Sequence, residues 1–336
     1  MNKLYLITGA TGHLGTTLIH RIGKKGPHIR ALVLPGDLGE YNLPDYVEVC
    51  SGDVTDMKSL ERSFKRDGYD TVTLIHCAAI VSISSGANPA MWEVNVNGTD
   101  NVMKMAVKTG VERVVYVSSV HAITEKAFPN VISEQENFDV DAVKGGYAKT
   151  KAAAANLVLD YAKKGLNVSI VHPSGIIGPG DFQRSNNMIR TIEAVVKRQM
   201  PCAVEGGYDF VDVRDVADGI LSCETYGRKG ECYILSGHYS SIKHLMDLVR
   251  NTEGRPPVAV TVSKALAKAV APIGEWFSKK LSKKPLLTPY SVYTLESNSL
   301  FSHKKASKEL GYKPRSLMSS VRDTVAFLLH RRFSET

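Results

Sequence analysis

Through the first half of the chain, short apolar runs alternate with stretches whose apolar residues return every three or four positions. The runs KLYLIT (3–8), IRALVL (29–34), VEVCSGD (47–53), TVTLIHCA (71–78), RVVYVSS (113–119) and NVSIVHP (167–173) read as strands. Helical patterns fall between them, at about 14–24, 56–67, 89–109 and 147–164. Strand, helix and strand in succession build a parallel sheet with crossover helices. The central runs are almost wholly apolar, as strands covered on both faces must be. The pattern therefore predicts an α/β fold, a doubly wound parallel sheet.

After residue 180 the alternation loosens. SNNMIRTIEAVVKRQ, SIKHLMDLVRNT and a lysine-rich segment are separated by short strand candidates such as CYILSG, which suggests a smaller α/β lobe built onto the sheet. The expected division is a doubly wound domain over 1–180, the part that would bind a dinucleotide if the loop after its first strand is built for one, with 209–222 returning to it, and a lobe formed mainly by 181–208 and 223–336 that would bind the substrate. The substrate pocket is expected from about 181–208 and 260–300.

Composition narrows the function classes. With 43% hydrophobic and 23% charged residues the 336-residue chain has the make-up of a soluble globular protein. MNKLYLITGATG runs straight into a strand pattern without the features of a signal peptide, and no uncharged apolar run reaches the roughly 18 residues of a membrane span. Cys50, Cys77, Cys202, Cys223 and Cys232 include no C-x-x-C pair, so neither a disulfide framework nor a metal site is indicated, and a cytoplasmic setting fits.

The formal charge of +8 raises the question of nucleic acid. Within 264–284, however, six lysines (264, 268, 279, 280, 283 and 284) face one acid, Glu275, so the excess is concentrated in one segment rather than spread over a basic face. No nucleic-acid partner is expected. The segment, KALAKAVAPIGEWFSKKLSKK, mixes apolar residues and Trp276 with its lysines and could lie on a membrane surface. Pro272 and Gly274 interrupt the pattern, and a helix covering a pocket is the preferred reading.

TGATGHLG (8–15) sets Gly9, Gly12 and Gly15 at the junction of the first strand and the first helix, with Thr11, His13 and Leu14 completing the loop. Glycines there permit positive φ and close backbone approach, so amide N–H groups and the helix dipole can meet a pyrophosphate. In GDV (52–54), at the end of the third strand, Asp53, with Val54 beside it, could accept a hydrogen bond from adenine or cap the next helix. The choice between NAD(H) and NADP(H) is made after the second strand. There the chain reads LPGDLGE, with acids at Asp37 and Glu40 and no nearby base, which leans towards NAD; Arg30 or a residue of another loop is the group that could still reach a 2′-phosphate.

YAKTK places Tyr147 and Lys151 one helical turn apart, on one face. A phenol beside an ammonium is favoured as phenolate, so Tyr147 becomes a candidate general acid and base. Such pairs occur by chance on many helices, but this one follows a dinucleotide turn and the strand ending YVSS. Ser119 stands at the carboxyl end of that strand, where open α/β sheets bind ligands, either to hold a substrate oxygen or to cap the next segment. His121 is either an auxiliary proton donor or a hydrogen-bonded loop residue, the latter preferred; His76 and His172 read as structural.

In the order TGATGHLG, GDV, HCAA (76–79), NVNGT (95–99), YVSS, YAKTK, HPSGIIGPGD (172–181) and FVDVRDVADGI (210–220), the chain resembles an extended short-chain dehydrogenase/reductase over essentially its whole length, nearest the dihydroflavonol 4-reductase-like and NAD-dependent epimerase/dehydratase group. The resemblance implies a Rossmann fold and a set of roles: Tyr147 as acid and base, Lys151 on the nicotinamide ribose and lowering the tyrosine pKa, Ser119 polarising substrate, Asn95 ordering the central helix, Asp53 on adenine, Ala78 and Ala79 by the adenosine ribose, Pro173 and Ser174 by the nicotinamide carboxamide. It also implies a homodimer through helices 89–109 and 147–164. Where many sugar-nucleotide epimerases have VYG and an asparagine before the proline, this chain has HAI (121–123) and His172. The leading expectation is an oxidoreductase acting on a carbonyl or alcohol of a small organic substrate. The alternatives are a nucleotide-sugar epimerase or dehydratase with retained NAD and, more remotely, a non-catalytic dinucleotide sensor.

Overall fold

The first strand pattern, KLYLIT, forms β1 (Lys3–Thr8), and its side chains divide between the two faces of a sheet: Leu4 and Leu6 enter one apolar core, Tyr5 and Ile7 the other. In the computed structural model residues 2–82, 88–280 and 287–334 are described, without the side chains of 276–280 and 331–334. Lys283 and Lys284 of the basic segment, and the side chains of Trp276, Lys279 and Lys280, lie outside that description.

The remaining strands are β2 (His28–Val33), β3 (Glu48–Ser51), β4 (Thr71–His76), β5 (Arg113–Val117), β6 (Val168–Pro173), β7 (Gly175–Ile177), β8 (Cys202–Val204), β9 (Gly207–Asp212), β10 (Cys232–Leu235), β11 (His238–Ser241) and β12 (Val260–Val262). Seven make one parallel sheet in the order β10-β6-β5-β4-β1-β2-β3. This is the doubly wound Rossmann arrangement. The order reverses between β1 and β4, and the crevice at their carboxyl ends is where such a sheet binds its ligand. CYIL, read from sequence as part of the late lobe, is β10: four fully buried residues that extend the large sheet beside β6.

Helices cover both faces. Helix α1 (His13–Ile22) lies on one, while α2 (Met57–Ser63), α3 (Pro89–Trp92), α4 (Thr99–Thr109) and α5 (Gly146–Lys163) follow in the chain, with α4 and α5 on the other face. The pattern at 89–109 is interrupted by a π-helical turn, Glu93–Gly98, between α3 and α4. Later come α6 (Asn187–Val196), α7 (Val213–Tyr226), α8 (Ile242–Thr252), α9 (Lys264–Lys280), α10 (Pro289–Glu296), α11 (Lys304–Leu310) and α12 (Leu317–Ser334). Helix α7 packs beside α1, returning the chain to the dinucleotide-binding half. The smaller sheets are β11-β9-β7 and β12-β8. No helix among the described residues is long and apolar enough to cross a membrane.

Candidate active site

The loop after β1 is shaped by what its glycines leave out. Gly9 has φ +65°, and a Cβ there would lie 2.7 Å from the Ala78 nitrogen; on Gly15 it would lie 2.2 Å from the Gly9 carbonyl oxygen. Helix α1 is N-capped by Gly12, which has no side chain to occupy its first N–H groups. A tight cradle with uncapped amides suits a pyrophosphate. Ala78 and Ala79 leave β4 against this loop, the Ala78 N–H donating to Thr8 Oγ1 at 3.2 Å. His13 and Leu14 are buried, with His13 Nε2 3.0 Å from the Pro179 carbonyl oxygen.

Thr11 donates to Asp37 Oδ2 at 2.6 Å, which ties the glycine loop to the segment after β2. Arg30 does not point that way. Its guanidinium is buried in ion pairs with Glu48 at 2.9 Å and Asp67 at 2.6 Å and donates to the carbonyls of Ser63 and Lys65, so it cannot serve a 2′-phosphate. Asp53 accepts the Thr55 N–H at 2.8 Å, but the helix cap of α2 is Asp56, which accepts from Lys58. Val54 is buried with its side chain against Gly98.

Four of the singled-out side chains meet where β5 ends against α5. Ser119, Tyr147, Lys151 and Asn95 are all buried. Asn95 spans the gap: its amide oxygen accepts the Ile80 N–H at 2.7 Å, while its nitrogen donates to Ile80 O and to Thr150 Oγ1 of α5, each at 3.0 Å. The π-helical turn carries Asn95, whose own carbonyl accepts from Thr99 Oγ1 at 2.7 Å. Ser119 Oγ accepts the His121 N–H at 3.2 Å and caps a short 3₁₀ turn, so the capping role is present beside any other.

In the protein alone, burial governs the electrostatics of Tyr147 and Lys151. Burial pushes the phenol up to about 12, opposed by its hydrogen bond with Ser119. Burial likewise brings Lys151 down to about 8, and its ammonium donates to the Val117 carbonyl at 2.9 Å. Both side chains are buried and the ammonium is engaged by the backbone, so desolvation decides both groups.

His172 Nδ1 lies 3.0 Å from the Ser119 carbonyl oxygen, and His76 lies between Thr8 Oγ1 at 2.6 Å and Thr99 Oγ1 at 3.0 Å. Pro173 ends β6. Ser174 turns to Asp209, donating to Oδ1 at 2.5 Å, and burial raises Asp209 to about 6. His121, which meets the Tyr147 ring edge-on, lines a pocket with Tyr208, Tyr290, Tyr293 and Phe301, whose polar side is formed by Glu125, Lys144, Thr294, Ser297, Asn298 and Ser299. Of the expected 181–208 stretch Tyr208 alone lines it. Tyr208 and Tyr290 were not singled out in the sequence; both contact His121 from far along the chain, and no local pattern announces them.

The NAD dependent epimerase/dehydratase family model matches residues 5–235. The chain belongs to that family. Family members similar to it over nearly their full length include sterol demethylase protein B of Methylococcus capsulatus, 32% identical over 97% of this chain and 98% of that protein. A putative dihydroflavonol 4-reductase of Synechocystis is 29% identical, over 100% and 97%. The decarboxylating sterol-4-alpha-carboxylate 3-dehydrogenase of Saccharomyces cerevisiae is 28% identical, over 96% and 97%. With this membership and kinship the chain is an NAD(P)-dependent oxidoreductase of the extended short-chain dehydrogenase/reductase type.

Proposed function

We propose that the protein interconverts an alcohol and a carbonyl on an apolar, ring-bearing substrate of the sterol class, using NAD(H). The observation that carries this reading is the Tyr147 phenol, hydrogen-bonded with Ser119 and in edge-on contact with His121, which lines a pocket together with Tyr208, Tyr290, Tyr293 and Phe301. The aromatic part of the wall suits a flat apolar body and its polar part, Glu125, Lys144, Thr294, Ser297 and Asn298, a hydroxyl or carboxyl group on it, and two relatives bearing sterol names support the same class.

The nicotinamide ring, when bound, accepts or supplies the hydride. Gly9, Gly12 and Gly15, with the amides of Thr11, His13 and Leu14, would hold the pyrophosphate. Asp53 would face adenine, and Ala78 and Ala79 the adenosine ribose. Lys151 would leave the Val117 carbonyl for the nicotinamide ribose, near Pro173. The Ser119 hydroxyl donates to the substrate oxygen, and Tyr147 delivers the proton to that oxygen in reduction or removes it in oxidation. Asn95 fixes α5 through Thr150, and His172 holds the Ser119 backbone. Asp37 beside the glycine loop and the engagement of Arg30 favour NAD over NADP. A homodimer through α4 and α5 is part of the proposal; Val107 on α4 is exposed.

The test is Tyr147→Phe. It should keep NADH binding by fluorescence titration and lose nearly all turnover of a sterol alcohol followed by nicotinamide absorbance. Full turnover in the variant overturns the mechanism. Turnover without net absorbance change, with cofactor retained through purification, would instead support epimerase chemistry.

A further inference from the structure

Helix α9 has two apolar faces, and the fold covers one of them. Ala267 and Ala271 are buried against Val292 of α10, with Val204, Val262 and Leu287 packed around them. The opposite face consists of Ala265, Leu266, Ala269, Val270, Pro272 and Ile273, all exposed and all apolar. Leu266, Val270 and Ile273 are 55%, 46% and 57% exposed. At 3.6 residues per turn these six positions share an arc of about 160°. Val260 on β12, just before the helix, is also 57% exposed.

A cation edges this face. Lys268 is exposed beside it and pairs with Glu296 at 2.6 Å. The sequence continues through Lys279, Lys280, Lys283 and Lys284, giving 264–284 a net charge of +5 from six lysines and one glutamate. An apolar arc with Lys268 at its edge, on a helix not long and apolar enough to span a bilayer and within a sequence segment of net charge +5, has the composition of an interfacial helix. We propose that α9 docks this protein on an anionic membrane surface, with Leu266, Val270 and Ile273 entering the boundary between headgroups and acyl chains. Lipid phosphates supply the charge opposite to the lysines.

The position of α9 gives the docking a use. Its covered face rests on α10, and α10 carries Tyr290 and Tyr293 into the substrate pocket. A docked protein therefore holds that pocket one helix away from lipid, which suits a substrate dissolved in the bilayer. This consequence rests on the apolar-substrate reading; the docking does not.

The full chain should co-sediment with phosphatidylcholine vesicles containing phosphatidylglycerol, more weakly with phosphatidylcholine alone, and less as salt rises. The triple variant Leu266→Ser, Val270→Ser, Ile273→Ser should bind at least about tenfold more weakly, with melting temperature and NADH affinity unchanged. Lys279→Gln with Lys280→Gln should cost about fivefold for each charge and flatten the salt dependence. Tyr147→Phe should sediment as the native protein does, which separates failure of docking from failure of the proposed chemistry. Native protein that stays in the supernatant, or a triple variant that sediments like native, overturns the proposal. So does a native dimer that the triple variant dissociates without vesicle binding, since the face would then belong to a second copy.

Discussion

His121 and Tyr208 lie face to face, their ring centroids 5.7 Å apart at 18°, with the tyrosine hydroxyl 2.9 Å from His121 Nε2. The Tyr290 hydroxyl stands 3.4 Å from Nδ1, and the Tyr147 ring meets the imidazole edge-on at 5.9 Å. Burial lowers His121 to about 4, so the ring is neutral at physiological pH and has one N–H and one acceptor nitrogen. One phenol donates to it and the other accepts from it. His121→Ala would strip both of that partner and widen the pocket. KM should rise about tenfold, roughly the 1–3 kcal/mol of a buried hydrogen-bonding group left unmatched, with NADH affinity unchanged. An unaltered KM would remove His121 from the substrate wall.

Gly145 opens the helix that carries Tyr147 and Lys151, at φ +95°. A Cβ there would stand 2.3 Å from Tyr290 Cε2. Gly145→Ala thus combines backbone strain with a clash against a pocket wall and should cost about 1–3 kcal/mol of stability. The clash should also change KM, because Tyr290 must move. Equilibrium denaturation and steady-state kinetics read the two effects separately; a variant as stable as the parent would contradict the strain argument.

At Gly15 the constraint is closeness alone. Its added Cβ would lie 2.2 Å from the Gly9 oxygen and 2.7 Å from the Ala10 Cα, both backbone atoms. Gly15→Ala must therefore push α1 away from the loop that would hold the pyrophosphate. NADH affinity should fall by about a hundredfold or more, as expected when helix and loop lose their shared geometry. Calorimetric titration yielding parental affinity would exclude the loop as the phosphate cradle.

What could be read from the chain was local. The apolar runs became the strands of the large sheet because burial on both faces demands continuous apolar residues, and Tyr147 and Lys151 were legible because one helical turn joins them. The π-helical turn at 93–98 was not legible within the 89–109 pattern. It accompanies Asn95, whose bonds to Ile80 and Thr150 are tertiary. The same holds for Tyr208 and Tyr290, 87 and 169 residues from His121. The upward push on the Tyr147 phenol was illegible for a related reason: spacing reveals a nearby ammonium but neither the burial around the phenol nor the Val117 carbonyl that engages the lysine.

Acid should unfold this protein through its histidines. Burial holds His76 down to about 3 and His121 and His172 down to about 4, against an ordinary value of 6.5. All three are neutral in the fold below the pH at which they take up protons in the unfolded chain. Between pH 6.5 and about 4 the unfolded state therefore binds more protons, so stability is complete above 6.5 and is lost as pH falls through that window. Each contributes up to about 1.4 kcal/mol per pH unit, so together the three impose a steep decline. The melting temperature should hold between about pH 8 and 7 and drop markedly by about pH 5. His76→Gln, which can still bridge Thr8 and Thr99 without titrating, should flatten the descent even if it lowers the plateau. A melting temperature independent of pH across this window would mean that the three imidazoles are not buried as neutral groups.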